Sequence, residues 1–405
     1  MDSNSLGGHR ADWYLVAVRP LARAEVAAAA DWLRARDRDT LDLQQQIAAI
    51  PAPTFDEGRR AAFVRARFER LGLKAVADAA GNVLAGLPDA GERPVVIAAH
   101  LDTVFDGATE LAVRHHGRRI AAPGIGDNAR GLAALLAVAE ACVTCRIRAP
   151  LLFAATVGEE GLGDLRGTKQ LFADREFRPR AFIALDGPGL DRVVHRAIGS
   201  RRLRATWNGP GGHSWAAWGV ANPAVALGIA VSRMSAISLP ASPRTTLTVA
   251  RVGGGTSINT IPVEAWCELD IRSEGAGALE AAAREAAAAL RHALEAANRS
   301  RASGTPALAL EVVVLGERPC GATPADHPLV RAAVEATERL GVTPVLTAAS
   351  TDANVPISLG IPAIALGAGG QGGDTHLTTE WYENERGAEG VVRALLVALS
   401  AAELP

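Results

Sequence analysis

The sequence predicts an α/β fold, a mostly parallel sheet flanked by helices, with a smaller α+β domain inserted into it. Three observations carry that prediction. The runs Val95–Ala99, Pro150–Val157, Ala181–Leu185 and Ile361–Leu366 are apolar almost throughout; the first three lead at once or across one glycine into histidine or acidic residues, and the fourth into a glycine-rich loop that ends in His376. Strands buried on both faces of a parallel sheet read this way. Ala- and Leu-rich segments of helical spacing separate several of them, as in βαβ units. From about Gly199 the pattern changes to period-two alternation, which marks half-buried antiparallel strands.

Taken in order, residues 21–50 read as a helix ended by Pro51 and Pro53. Thr54 to Glu57 has the spacing of an N-cap with a glutamate three residues on, opening a helix to about Leu71 closed by Gly72. Leu73–Val76 and Val83–Ala85 are short strands around a turn at Asp78–Asn82, and Val95–Ala99 delivers His100 and Asp102. Residues 103–122 are loop and hairpin, with His115–His116 at a polar tip. The glycine turn at Pro123–Gly131 feeds a helix to about Cys145, where Asp127 is either an N-cap or a metal carboxylate. Pro150–Val157 ends in Glu159 and Glu160, and Ala181–Leu185 ends in Asp186. Adjacent glutamates at a strand end repel each other. Gly158 and Gly161 give the backbone the freedom to turn both toward one place.

The inserted segment is predicted as β-α-β-β-α-β over 199–315. Its strands are Arg201–Trp207, Thr245–Val252, Ile261–Arg272 and Ala307–Leu315, and its helices run from Pro223 to about Ala236 and over Leu279–Ala297. Residues 1–198 and 316–405 then form the two parts of the larger domain. The second part holds a helix at Pro328–Leu340, a strand at Pro344–Leu346, a helix opened by Ser350–Asn354, the strand Ile361–Leu366 and a last helix over Asn384–Leu399. The loop after Leu366 brings His376 to the edge where His100, Glu159, Glu160 and Asp186 already stand. In an open α/β sheet, ligands bind outside the carboxyl ends of the strands.

Composition narrows the function classes. The 405 residues are 48% hydrophobic and 21% charged, with a net charge of −2, so no broad field favours nucleic acid or a membrane surface. Four cysteines in a chain of this length make no disulfide framework. Cys142 and Cys145 read as buried or half-buried thiols at a helix end. The first twenty residues lack a leader pattern and no apolar run reaches bilayer length, so a cytoplasmic protein is expected. Two histidines and several carboxylates at one sheet edge suit a pair of divalent metals, Zn²⁺ with Mn²⁺ or Co²⁺ as alternatives.

The motifs HLDTV, PGIGDNARG, VGEEGLGD, LDG, GPGGHS, NTIP and GGDTH resemble those of the dinuclear zinc peptidases that include peptidase T, carboxypeptidase G, aminoacylases and succinyl-diaminopimelate desuccinylase. The resemblance runs from about residue 45 to the C-terminus. It implies a zinc-peptidase-like catalytic domain and an inserted dimerisation or lid domain. It implies that His100 and Asp186 hold one metal, Glu160 and His376 the other, and that Asp127 bridges them. Asp102 would orient His100 and Glu159 would be the general base. His213 would reach the active site of the partner subunit in a homodimer and stabilise an oxyanion. Asn259 and Arg272 would hold the substrate's carboxylate. From the residues alone, His213 could be part of a glycine turn, Arg272 could pair with Glu268 or Asp270, and Asp352 could be an N-cap. Departures fall after His376, where Leu377–Thr378–Thr379–Glu380 follows, and before it at Asp374. The implied activity is hydrolysis of an amide in a short peptide, with an N-acyl amino acid or another amide as the alternative substrate, and a silent binding protein as the reading of a different class. IPAPTFDE at 50–57 and STDAN at 350–354 lean toward the peptidase T-like branch.

Overall fold

The computed structural model describes residues 23–404. The first twenty residues, in which no leader is expected, and the first residues of the 21–50 helix lie outside them. The chain forms two compact units, one running up to Ala197 and resuming at Ala322, the other spanning Ile198–Gly321.

In the larger unit the central sheet runs in the order Ala75–Ala77, Val83–Gly86, Leu151–Thr156, Val95–His100, Ala181–Leu185, Ala363–Leu366, Arg192–Ala197. Val95–His100 pairs in parallel with both Leu151–Thr156 and Ala181–Leu185, and Ala363–Leu366 continues the parallel set beside Ala181–Leu185. Successive side chains point to opposite faces. Val95, Ile97 and Ala99 therefore enter one apolar cluster, and Val96 and Ala98 another. That explains the uninterrupted hydrophobic runs: both faces are covered. Each fully buried Val, Leu, Ile or Phe contributes about 1.5–3 kcal/mol.

Helix Ala129–Thr144 covers one face, together with Gly387–Ala402 and Ala24–Ala35. Thirteen of the sixteen residues of Ala129–Thr144 are buried, so it is an interior helix, and its alanines let neighbours approach closely. Three buried arginines fix the loops behind the strand ends. Arg60 donates to the carbonyls of Ile50 and Leu101, Arg130 to those of Ala368 and Gly387, and Arg393 to that of Gly367.

Several elements differ from the sequence expectation. The helix expected over 21–50 is two helices, Ala24–Ala35 and Asp37–Ala48, because Arg36 leaves helical geometry at φ −105° and ψ 18°. Thr54 does not cap the helix Gly58–Arg70; its hydroxyl donates to Asp102 instead. The strand Arg192–Ala197 escaped prediction because Arg192, His195 and Arg196 break its apolar pattern. Gln371–Gly373 and Trp381–Glu383, which join the hairpin Arg114–His116 and Arg119–Ala121 in a small sheet, are too short to show a period.

The smaller unit is a four-stranded antiparallel sheet in the order Thr245–Gly254, Glu264–Ser273, Gly199–Asn208, Ala309–Arg318. Helices Pro223–Ser235 and Ala276–Arg299 pack on the face formed by Leu203, Ala205, Trp207, Cys267, Leu269 and Ile271. The opposite face carries charge: Glu268 accepts from Arg204 and Arg251, and Arg204 stacks on Trp266. Among the described residues no helix is long and apolar enough to cross a membrane.

Candidate metal centre

Register sets the site. His100 lies opposite Thr156, and Leu185 opposite Leu366, so the parallel strands end side by side. His100 closes its own strand, Asp186 follows Leu185, and Glu159 and Glu160 lie just past Thr156. Asp127 comes from the glycine turn before Ala129–Thr144. The N-cap of that helix is Asn128, whose Oδ1 accepts from the Gly131 amide at 3.1 Å and whose Nδ2 donates to the Leu185 carbonyl at 2.8 Å. Asp127 is thereby left to face the cluster.

The two oxygens of Asp127 face two histidines. Oδ1 lies 2.9 Å from His100 Nε2, and Oδ2 lies 3.3 Å from His376 Nε2. His376 Nε2 also contacts Glu160 Oε1 at 2.9 Å, and His100 Nε2 is 3.9 Å from Asp186 Oδ1. Three groups present ligand atoms within 4.8 Å of one another: His100, Asp127 and Asp186; Asp127, Glu160 and His376; and His100, Glu159 and Glu160. The structure thus brings together every residue that the sequence suggested for the metals, with Glu159 in the same shell.

Asp102 is fully buried and does more than touch His100. His100 Nδ1 is 3.0 Å from the Asp102 carbonyl oxygen and 3.5 Å from its Oδ1. The Asp102 carboxylate accepts the backbone N–H groups of Glu159 and Glu160 and the Thr54 hydroxyl, each at 2.9 Å. One residue therefore fixes both the imidazole, mainly through its carbonyl, and the loop of the two glutamates, through its carboxylate. Gly158, at φ +64°, makes that loop's turn, and a Cβ there would come within 2.6 Å of Arg166.

Two positioning residues were not foreseen. Glu380, 1% exposed, accepts the amides of Gly124, Gly126 and Asp127 at 3.0, 2.8 and 2.9 Å, and so shapes the turn that presents Asp127. The sequence marked it only as following His376 in an unusual context. Asp352 is not an N-cap; Ala353 holds that position. Its buried carboxylate accepts the hydroxyls of Thr156, at 2.6 Å, and Thr168, anchoring the strand end ahead of Glu159.

The electrostatics follow from crowding. Burial pulls the His100 imidazole down, but the bonds to Asp102 and Asp127 overcome it and hold it well above its ordinary value. Hydrogen bonds to Asp127 and Glu160 push His376 up to about 10. Burial and the Asp127 charge push Asp186 up to about 7. Burial also raises Glu380 to about 7, against the three amides that favour its ionised form. Protons on two imidazoles thus offset repulsion among carboxylates packed within a few ångströms. Divalent cations fit the same donor set of imidazole and carboxylate, and would replace those protons. At pH 7 both histidines of the metal-free protein are protonated and Asp186 is near half-protonation. Loading with Zn²⁺ should therefore release about two to three protons per chain. A pH-stat titration of chelated protein measures this; uptake without proton release would mean that the histidines are either neutral before metal binds or not ligands.

Other candidates lie elsewhere. His213 and Asn259 stand on two paired segments of the smaller unit: His213 pairs with Thr260, and the Ser214 amide donates to the Asn259 carbonyl at 2.9 Å. Arg272 sits near the far end of strand Glu264–Ser273, with Nε donating to Asp270 at 2.8 Å. His115 and His116 are exposed on the hairpin and join no metal-competent group among the described residues. All four cysteines are free thiols; Cys142 is buried and Cys145 half-buried.

Fold and site together define a metal-dependent hydrolase. The profile of peptidase family M20/M25/M40 matches residues 96–400, and the chain belongs to that family, a family of dinuclear-metal peptidases and related amide hydrolases. A Pyrococcus abyssi (strain GE5 / Orsay) protein provisionally named LysW-lysine/LysW-ornithine hydrolase is 32% identical over 162 residues, 40% of this chain. The match spans 43% of that relative's length. Aminopeptidase PepT from Bacillus cereus ATCC 10987 superposes with a TM-score of 0.70 at 22% identity, over 90% of this chain and 98% of that one. A tripeptidase from Staphylococcus aureus subsp. aureus Mu50 gives 0.72 at 20% identity, over 90% and 98%. The Bacillus subtilis YXEP protein, described as a dinuclear metal binding peptidase, gives 0.64 at 17% identity, over 91% and 98%. At these identities the three structures establish a shared fold.

Proposed function

We propose that this metallohydrolase cleaves an amide bond in a short peptide, as an aminopeptidase or dipeptidase. The observation that carries the reading is the pair of Asp127 contacts, one oxygen on the side of His100 and the other on the side of His376. A carboxylate so placed suits two ions held by His100 with Asp186 and by Glu160 with His376. Zn²⁺ suits this donor set best, with Mn²⁺ or Co²⁺ as alternatives. When bound, such ions lower the pKa of water and polarise the amide carbonyl.

The remaining steps belong to the chain. Glu159 takes the proton of the attacking water and passes it to the leaving amine. Asp102 holds His100 in one orientation and, through two backbone amides, keeps Glu159 and Glu160 in register. His213 accepts the Trp215 amide at Nδ1, 3.2 Å away, so the proton of its neutral ring sits on Nε2. That nitrogen is then a donor suited to an oxyanion, and we assign it to the active site of the partner subunit in a homodimer. Asn259, on the segment paired with it, would hold the substrate's carboxylate. Arg272, to which the resemblance gives the substrate's carboxylate, already donates Nε to Asp270.

A second reading is hydrolysis of an N-acyl amino acid or another amide. The Pyrococcus relative favours it, since its name is that of a hydrolase and not of a peptidase. Di- and tripeptides assayed against N-acyl amino acids, with metal restored after chelation, separate the two. Peptide turnover at least tenfold faster is expected; no turnover of any amide by metal-loaded protein would defeat both. For His213, mixing inactive His213→Ala with inactive Glu159→Ala protein should restore activity through hybrid dimers. Its absence after verified subunit exchange would argue against action across subunits.

A further inference from the structure

Beside the metal cluster, within the larger unit, stands a cation that the mechanism does not use. Arg192 opens the strand Arg192–Ala197, which runs antiparallel to Ala363–Leu366 with Val193 opposite Leu366. The parallel strands present their carboxyl ends at this edge. This strand, running the other way, presents its first residue there. Reversal of this strand thus places a guanidinium at the edge where the carboxylates gather.

Arg192 lines two adjoining cavities. One, of about 350 Å³, is also lined by Asp127, Asp186, Val194 and Thr375. The other, of about 490 Å³, is also lined by Pro188, Thr375, Gln371 and Arg386. Pro188, Arg192 and Thr375 belong to both. Either volume accommodates a ligand of dipeptide size. The charges around Arg192 are engaged elsewhere. Glu385 accepts from Gln371 at 2.9 Å, and Arg386 donates to the Leu340 carbonyl. Among the described residues the Arg192 guanidinium makes no hydrogen bond or ion pair. Its planar fork of donors matches a carboxylate in two-point contact. Arg272, in contrast, is partnered by Asp270.

We propose that Arg192 forms a carboxylate-binding subsite in the cavity it shares with Asp127 and Asp186, and that it, not Arg272, selects substrates carrying a free carboxylate near the scissile amide. This deepens the amide-hydrolase reading and rests on it for the word substrate. The binding itself is measurable without turnover.

The experiment uses metal-loaded full-length protein bearing Glu159→Ala, so that ligands are not consumed. Calorimetry compares alanyl-alanine with alanyl-alaninamide, and N-acetyl-alanine with its amide. The acid of at least one pair should bind about ten- to a hundredfold tighter than the amide, the range of a charge-assisted contact. Adding Arg192→Leu should erase that preference while leaving amide binding within about threefold and metal content unchanged; Arg192→Lys should restore part of it. Adding Arg272→Leu instead should keep the preference. No acid preference in either pair, or a preference that survives Arg192→Leu, or one lost with Arg272→Leu, overturns the proposal. Failure of the amide-hydrolase reading shows separately, as absence of turnover by metal-loaded protein with Glu159 intact.

Discussion

Replacing Glu159 with alanine is expected to lower kcat by about three orders of magnitude, within the range found for removal of a general acid–base group. Metal content should stay at the wild-type level. The residue is 6% exposed and stands at a strand end held by its own backbone, whose amide donates to Asp102 at 2.9 Å. Truncating the side chain therefore leaves the loop in place. Glu160, the adjacent carboxylate, is turned to His376 at 2.9 Å and is not free to substitute. The variant also separates two roles that proximity leaves together, because Glu159 shares one ligand-competent group with His100 and Glu160. Loss of turnover with both ions retained identifies a base. Loss of an ion identifies a ligand, and near-native turnover would remove Glu159 from the reaction.

Asp127→Asn should be comparably severe for a different reason. The substitution keeps the shape and removes the charge shared between two sites. Weakening of metal affinity by at least about a hundredfold is expected, with turnover falling to background at micromolar metal. The local backbone should keep its path. The Asp127 amide stays on Glu380 at 2.9 Å, and the helix keeps its own cap in Asn128. Without metal, the variant relieves repulsion on Asp186, whose carboxyl the Asp127 charge helps hold up at about 7. Its pKa should fall somewhat, burial being the larger cause, but the variant also loses the charged partner of protonated His100 and His376, so the metal-free variant should be less stable than the metal-free wild type near neutral pH. A thermal melt with chelator, beside metal analysis, checks both halves.

Much of the fold was legible because burial writes a strong pattern. Val95–His100 has every residue buried, and no polar side chain interrupts it before the site. The parallel strands were found for that reason, and the residues after them formed the candidate cluster. Elements that escaped were those whose pattern is weak or whose role is nonlocal. Arg192–Ala197 mixes charge into a strand near the sheet's edge. Thr54 looks like a cap by spacing, yet it is drawn to a carboxylate 48 residues away. Glu380 reaches back 253 residues to the Asp127 amide, a pairing that no local rule can contain. Asp102 was read as a partner for His100 because the two are close in sequence. Its larger duty, holding the Glu159–Glu160 loop, becomes visible only when two parallel strands lie side by side.

The most direct test of the two-metal reading follows bound ion and turnover together as Co²⁺ is returned to chelated protein, in wild type, Asp127→Asn and His376→Ala. The account predicts two ions per wild-type chain, with full turnover only when both are bound. It predicts one retained ion and strongly reduced turnover for His376→Ala, and weak binding for Asp127→Asn. Full turnover by metal-free protein, or unchanged ion stoichiometry and affinity in both variants, would contradict it.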